Sequence, residues 1–415
     1  MNNSLGNLDV IVERNVEVPM RDGTLLRADI WRPDLAGQFP VLIERTPYDK
    51  TASSESSLGA GEYYASHGYV TVIQDVRGRF ASDGLFYPFR DDGDGENQDG
   101  YDTVEWAAVQ PWSNKKIGTI GGSYSGATQY RMLATQPPHL VAQFVRQSSS
   151  DYYIEWVYRS GVFEHGFNIS WTLKHASTNA VKLAPEGMED EVVTRLTKAS
   201  DDYQKWLEHV PISPLPPVAD LQDWFVDWMD HPNQGEYWNE FSIVRSHDRV
   251  DVPIHHFGSW YDCFLRGTLE NYVGMRSKAV NKQARSGQRL TIGPWVHNPS
   301  PADMRTSGEV DFGEQAKLGW FATRLRWFDH WLKGIDNGIE QEKPVKLFTM
   351  GVNKWREFSE WPPAEISYTP FYLSNGRSGS AQSLNDGVLS RTCLLYTSDA
   401  ADEGLGVDLG GRRII

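Results

Sequence analysis

Residues 117–130 read IGTIGGSYSGATQY. A short apolar run meets Gly121 and Gly122, then Ser123, Tyr124, Ser125 and Gly126, and then a segment of helical character. A strand that turns at once into a helix holds its corner residue in a strained conformation, usually with φ > 0, while neighbouring chain passes close by. The flanking positions must then be small, as Gly121, Gly122, Ser125 and Gly126 are. A serine on such a corner stands out at the C-terminal edge of a sheet, where open α/β sheets bind ligands. The helix N-terminus behind it favours developing negative charge. The plain alternative is a glycine-rich packing turn, since short strings of this kind recur by chance.

Outward from this corner the chain alternates strands and helices. VIVERNVEVPMRDGTLLRADIWRP, around Asp22 and Gly23, reads as a β-hairpin. EYYASHGYVTVIQDVRGR reads as a helix, a stop at Gly68 and a buried strand over residues 70–74. DGYDTVEWAAVQPW is helical, with Val104 and Ala108 on one face, and LVAQFVRQSSS is a further strand. Such alternation predicts a mainly parallel sheet covered on both faces. From residue 151 to 250 the chain is rich in Trp, Asp, Glu and His with helical periodicity, and VPIHHFGSWYD and RLTIGPWVHN then resume the strand–loop rhythm. We therefore expect an α/β core in two halves (1–150 and 251–340) with a helical cap (151–250) inserted between them. KLGWFATRLRWFDHWLKGI predicts a long helix with Trp320, Leu325, Phe328 and Trp331 towards the core. KPVKLFTMG, KWREFSEWP and ISYTPFYLS read as antiparallel strands of a further β domain, 341–390.

A hydroxyl is a poor nucleophile without a base, and the base needs an orienting acid. On this architecture they follow in the order serine, acid, histidine, each on a loop after a strand. Of 11 histidines, His297 has that setting: a strand, a Gly-Pro turn, then His. Asp262 follows the preceding strand, whereas His255 and His256 fall inside that strand and read as core or edge residues. An oxyanion needs two donors. One is the backbone N–H of Tyr124. The loop ERTPYDK after an early strand lacks the glycines that would let a backbone N–H serve as the second, so a side chain must substitute. The Tyr48 hydroxyl is the candidate, though Tyr48 reads equally well as a packing aromatic.

The 415 residues are 40% hydrophobic and 23% charged, with 16 Trp, a composition ordinary for a globular protein apart from its aromatics. A net charge of −15 repels nucleic acid and anionic membrane, so neither is an expected partner. Two cysteines are too few for a disulfide framework. The N-terminal residues lack a basic segment followed by an apolar run, and no stretch approaches the roughly 18 apolar residues of a membrane helix; a cytoplasmic location is expected. DDGDGENQDGYD superficially resembles a calcium loop, but Asn97 stands where glycine is needed and Thr103 where glutamate is needed. We read it as a solvated lead-in to a helix, and expect neither metal nor cofactor. In DVRGR, Arg77 could pair with Asp75 or brace the Tyr48 loop, a structural role.

RTPYDK, DVRGRFASDG, DGYDTVEWAAVQPWSNKKIGTIGGSYSGATQ, GSWYDCF and GPWVH, in this order over residues 10–362, resemble the CocE/NonD hydrolase family. That family includes cocaine esterase, α-amino-acid ester hydrolases and Xaa-Pro dipeptidyl-peptidases. Its serine motif, G-x-S-Y-x-G, is met by Gly121, Ser123, Tyr124 and Gly126. The resemblance implies an α/β-hydrolase core, a helical cap and a C-terminal jelly roll. It implies a triad of Ser123, Asp262 and His297, with Tyr48 and the Tyr124 N–H in the oxyanion hole. A hydrolase of esters or amides is thus expected rather than an idle scaffold used for binding, because no member of the triad is missing.

The substrate class is less legible. The cap tryptophans Trp156, Trp171, Trp206, Trp224, Trp228 and Trp238 are mostly cap core, with Trp156 and Trp171 as candidate pocket residues. Members of the family that recognise a free ammonium use cap carboxylates, and Asp151, Glu155 and Glu164 lie nearest the core–cap junction, Glu155 being the candidate. The expected substrate is a small ester, with aminoacyl esters, amides or short Xaa-Pro peptides as the alternative; self-association is left open. Residues 391–415, RTCLLYTSDAADEGLGVDLGGRRII, lack strand alternation and do not continue the family pattern. They look like a translated sequencing-adapter fragment, so the β domain is expected to be truncated and this tail non-native, with a divergent natural tail as the alternative.

Overall fold

The computed structural model describes residues 8–375 and 387–392. One compact unit runs to Ser359 and a second begins at Glu360. The first is built on a ten-stranded sheet. Its strands are β1 (Val10–Pro19), β2 (Leu25–Pro33), β3 (Phe39–Thr46), β4 (Val70–Asp75), β5 (Ser113–Thr119), β6 (Leu140–Arg146), β7 (Ile254–Tyr261), β8 (Arg289–Val296), β9 (Val345–Thr349) and β10 (Lys354–Phe358). They lie in the order β1-β2-β4-β3-β5-β6-β7-β8-β9-β10. From β4 through β9 neighbouring strands are parallel; β1, β2 and the edge strand β10 pair antiparallel. Strand β4 is buried along its whole length, as expected of a strand covered on both faces. The expected hairpin forms between β1 and β2, with Gly23 at φ +87° in its turn.

Helices α1 (Ala60–Ser66), α2 (Asp99–Ala108) and α3 (Tyr124–Met132) cover the first half. The cap carries α4 (His165–Ser177), α5 (Glu189–Asp201) and α6 (Asp223–Asp230), and α7 (Leu265–Lys278) and α8 (Trp320–Lys333) return to the core. Among the described residues no helix is long and apolar enough to cross a membrane.

Two expectations are corrected here. The strands over residues 345–358 join the hydrolase sheet: β9 pairs parallel with β8 through Val345 and Leu290, and β10 pairs antiparallel with β9. Alternation along a strand reports which face is buried, not which neighbour it joins. The core face of α8 is Trp320, Arg324, Trp327, Phe328 and Leu332, while Leu325 and Trp331 are only partly buried. Arg324 is tolerated there because its guanidinium donates to Glu55 Oε2 at 2.7 Å, a partner 269 residues away. In the second unit, β11 (Tyr372–Asn375) pairs antiparallel with β12 (Gly387–Ser390). Residues 376–386 of the expected jelly roll, and the 391–415 tail from Cys393 onward, lie outside the described residues.

Candidate active site

The site forms where β3, β5, β7 and β8 end on one edge of the sheet. Ser123 sits between β5 and α3 with φ +57° and ψ −122°, in a region closed to most non-glycine residues. The surroundings over-determine this strain. The Ser123 N–H faces the Arg146 carbonyl at 3.0 Å and that of Gln147 at 3.2 Å, and its C=O accepts from the N–H groups of Gly126 and Ala127, each at 3.0 Å. The Ser148 hydroxyl donates to the same carbonyl at 3.0 Å. A Cβ on Gly122 would lie 2.4 Å from Arg146 Cζ, and one on Gly126 would lie 2.6 Å from Ser148 Cβ. Close approach is therefore the reason for glycine at both positions. Tyr124 opens α3, so its N–H is one of those a helix leaves without an internal partner.

His297 and Asp262 follow the adjacent parallel strands β8 and β7, and His297 Nδ1 lies 2.8 Å from Asp262 Oδ1. The carboxylate is buried and the imidazole half-exposed. Donation from Nδ1 leaves Nε2 as an acceptor that can take a proton. Phe264 packs edge-on against the His297 ring at 5.5 Å, and Trp156 stacks on Phe264 at 5.0 Å. The Cys263 thiol lies 3.7 Å from Asp262 Oδ1, and the ligating atoms of Asp262, Cys263 and His297 all fall within 4.8 Å of one another. Partial burial of the sulfur, then the Asp262 charge, raises the Cys263 thiol pKa, although the residue as a whole is exposed.

Tyr48 follows β3 and packs between Tyr124 and His175, with ring centroids at 6.4 and 5.1 Å. Its phenol faces the Ser123 hydroxyl and the Trp171 indole N–H. Burial raises its pKa above the ordinary value despite these two groups, which favour the phenolate. The group is therefore a protonated donor at neutral pH. Among the described residues the buried Trp171 indole nitrogen has no hydrogen-bond partner. A cleft of about 660 Å³ opens here, lined by Tyr48, Phe80, Trp171, Lys174, His175 and Asn298 among others.

Not every sequence candidate reaches this cleft. Trp171 lines it. Trp156 is 1% exposed and supports it from behind, packed against Tyr124, Phe264 and Trp171. Glu155 is buried; its Oε2 accepts from the Ser150 N–H at 2.7 Å, and burial pushes its carboxyl up to about 8. That makes it a neutral internal group rather than an anion offered to a substrate. Asp151 accepts from the Tyr153 and Ile154 N–H groups at 2.9 and 3.2 Å, and Glu164 pairs with Arg159. Trp224, Trp228 and Trp238 are cap core, as expected, and His255 and His256 are buried within β7.

Other readings are corrected. The acidic stretch leading into α2 is only partly solvated: Asp94 and Glu96 are exposed, but Asp92 pairs with Arg45 at 2.5 Å and Asp99 with Arg77 at 2.6 Å, and both of these acids are buried. Arg77 also binds Asp22, so it does not brace the Tyr48 loop; Arg79 does. Arg146 and Gln147, beneath the serine and the His297 loop, were missed altogether. Their one sequence signal is the run of small residues Ser148–Ser149–Ser150 after them, a mark of close packing.

A parallel sheet with a serine elbow after a central strand and an Asp–His pair after two later strands defines the α/β-hydrolase class. Residues 22–299 match the family model described as X-Pro dipeptidyl-peptidase (S15 family). Residues 337–406 match that of the X-Pro dipeptidyl-peptidase C-terminal non-catalytic domain, a match that runs into the stretch expected to be foreign. The chain belongs to the S15 family. It is 32% identical over 402 residues to the cocaine esterase of a Rhodococcus species, an alignment covering 94% of this chain and 66% of that protein. The fold is shared with an aminopeptidase from a marine-sediment Thaumarchaeota archaeon (TM-score 0.67, 21% identity, 90% of this chain and 62% of that one). It is shared equally with an α-amino-acid ester hydrolase (TM-score 0.66, 23% identity, 91% and 63%). The chain thus spans less than two thirds of the length of these relatives, 62–66%.

Proposed function

We propose that this chain is a serine hydrolase that cleaves small carboxylic esters through an acyl-enzyme. Ser123 attacks the carbonyl; His297 takes its proton and returns it to the leaving alkoxide; Asp262 holds the His297 tautomer. The Tyr48 hydroxyl and the Tyr124 N–H stabilise the oxyanion. Water, activated by His297, then releases the acid. The observation that carries this reading is the 2.8 Å Asp262–His297 hydrogen bond, on the same sheet edge as a strained Ser123 whose hydroxyl faces Tyr48. The likeness to cocaine esterase supports the ester preference. A fluorophosphonate probe tests it: labelling lost in Ser123→Ala supports the mechanism, and labelling that persists in that variant rejects it.

A second reading, cleavage of Xaa-Pro peptides or aminoacyl esters carrying a free ammonium, is favoured by the description of the family model. Against it, Lys174 lines the cleft and repels an ammonium, while Asp151, Glu155 and Glu164 have other partners. Rates on p-nitrophenyl acetate and benzoate, compared with Ala-Pro- and Gly-Pro-nitroanilide, separate the two. Faster turnover of the nitroanilides selects the peptidase.

A further inference from the structure

Gln147 is the first residue after β6 and is wholly buried. It is held at φ +46°, in the left-handed region that an ordinary side chain avoids. Neither glycine nor asparagine, the usual occupants, stands there, so something about glutamine offsets the strain. Its side-chain amide is fully engaged. Nε2 donates to the Val296 carbonyl and to Ser259 Oγ, both at 2.7 Å. Oε1 accepts from the Asn298 N–H and from Arg146 Nη1, both at 3.1 Å. The same Arg146 nitrogen donates to the Asn298 carbonyl at 2.7 Å.

These contacts converge on the candidate triad. Val296 and Asn298 flank His297, so the amide grips the main chain on both sides of the base. Ser259 lies on the acid's strand, and its carbonyl accepts from the Asp262 N–H at 3.2 Å. The Gln147 carbonyl faces the Ser123 N–H at 3.2 Å, and its own N–H donates to Phe257 of β7 at 2.8 Å. One residue thus touches the backbone or strand of all three.

We propose that Gln147 is a positioning residue that sets the place of His297 relative to Ser123 by clamping the main chain at Val296 and Asn298. Only a primary amide meets the demand, because one end must donate to a carbonyl while the other accepts from an N–H. Glutamate of the same shape would turn an oxygen onto the Val296 carbonyl. Methionine would leave that carbonyl and the Asn298 N–H unpaired. The proposal rests on the Ser123–Asp262–His297 reading above.

The test compares wild type with Gln147→Glu, Gln147→Met and Gln147→Gly on p-nitrophenyl acetate, with fluorophosphonate labelling and thermal unfolding in parallel. Glycine removes the backbone strain together with the clamp, so it separates the two roles. Misplacing a base by about 1 Å can cost on the order of 100-fold in rate. We expect kcat to fall about 10- to 100-fold in all three variants, with KM within about twofold. Labelling should reach the wild-type endpoint more slowly, and the Gly variant should unfold no earlier than the Met variant. A folded Gln147→Met or Gln147→Gly enzyme with kcat within about twofold of wild type overturns the proposal. So does a set of variants of which none folds, since the residue would then be purely structural. Failure of the wild type to label strikes the triad reading instead.

Discussion

The Arg79 guanidinium donates a 3.0 Å hydrogen bond to the carbonyl of Pro47, the residue before Tyr48. The same group donates to the His175 carbonyl at 2.8 Å and the Thr178 hydroxyl at 3.1 Å. One buried cation therefore ties the loop of the expected oxyanion donor to cap helix α4, which supplies Trp171 and His175 to the cleft wall. Arg79→Lys keeps a charge but loses the fork that reaches three acceptors. We expect kcat for p-nitrophenyl esters to fall about 10-fold, on the scale of a lost charged hydrogen bond, with a lowered melting temperature. An unchanged kcat in a folded variant would separate the brace from catalysis.

Tyr48→Phe removes the phenolic donor and little volume. Loss of one oxyanion donor costs about 10²–10³ in kcat, and Ser123→Ala should abolish turnover. Because burial raises the Tyr48 pKa above its ordinary value, the donor stays protonated as the medium turns alkaline. Activity should then persist to about pH 9 without a loss attributable to this phenol. A Tyr48→Phe enzyme as fast as wild type would remove Tyr48 from the mechanism.

Glu155 has a carboxyl raised to about 8 by burial. Its folded-state pKa lies above its unfolded value, so the folded state holds the proton more tightly. The stability this contributes is full below about pH 4.5, falls as pH rises and is lost above about pH 8. Glu155→Gln mimics the neutral form. Its melting temperature relative to wild type should therefore rise steadily between pH 5 and pH 8. A difference that stays flat with pH over that interval would show the carboxyl to be ionised in the fold.

Arg324 neutralises a fully buried pocket that holds both Glu55, its 2.7 Å partner, and Glu44, which burial and the Glu55 charge push up to about 8. Arg324→Met leaves Glu55 without its cation. Breaking a buried pair from one side costs about 3–5 kcal/mol, measured here as a lowered urea midpoint. The double variant Arg324→Met/Glu55→Gln should recover much of that loss, since no unpaired charge remains.

The Asp262–His297 hydrogen bond and the strained serine corner were legible because their causes are local. Small residues around Ser123, a Gly-Pro turn before His297 and a strand before Asp262 are all written in neighbouring positions. The order of strands and helices then brings the three loops to one edge of the sheet. What the sequence could not disclose depends on partners far apart in the chain. Arg324 reads as a break in an apolar helix face until Glu55 arrives against it. Asp92 and Asp99 read as solvated until Arg45 and Arg77 pair with them. Glu155 reads as an available anion until the Ser150 N–H claims it. Strands β9 and β10 have the alternation of any half-buried strand, and only the free edge of β8 decided which sheet they join. Side-chain type and spacing determine which face of an element is buried and where the chain must bend. Which charge meets which, and so which groups remain free to act, is decided only when the tertiary fold removes them from water together.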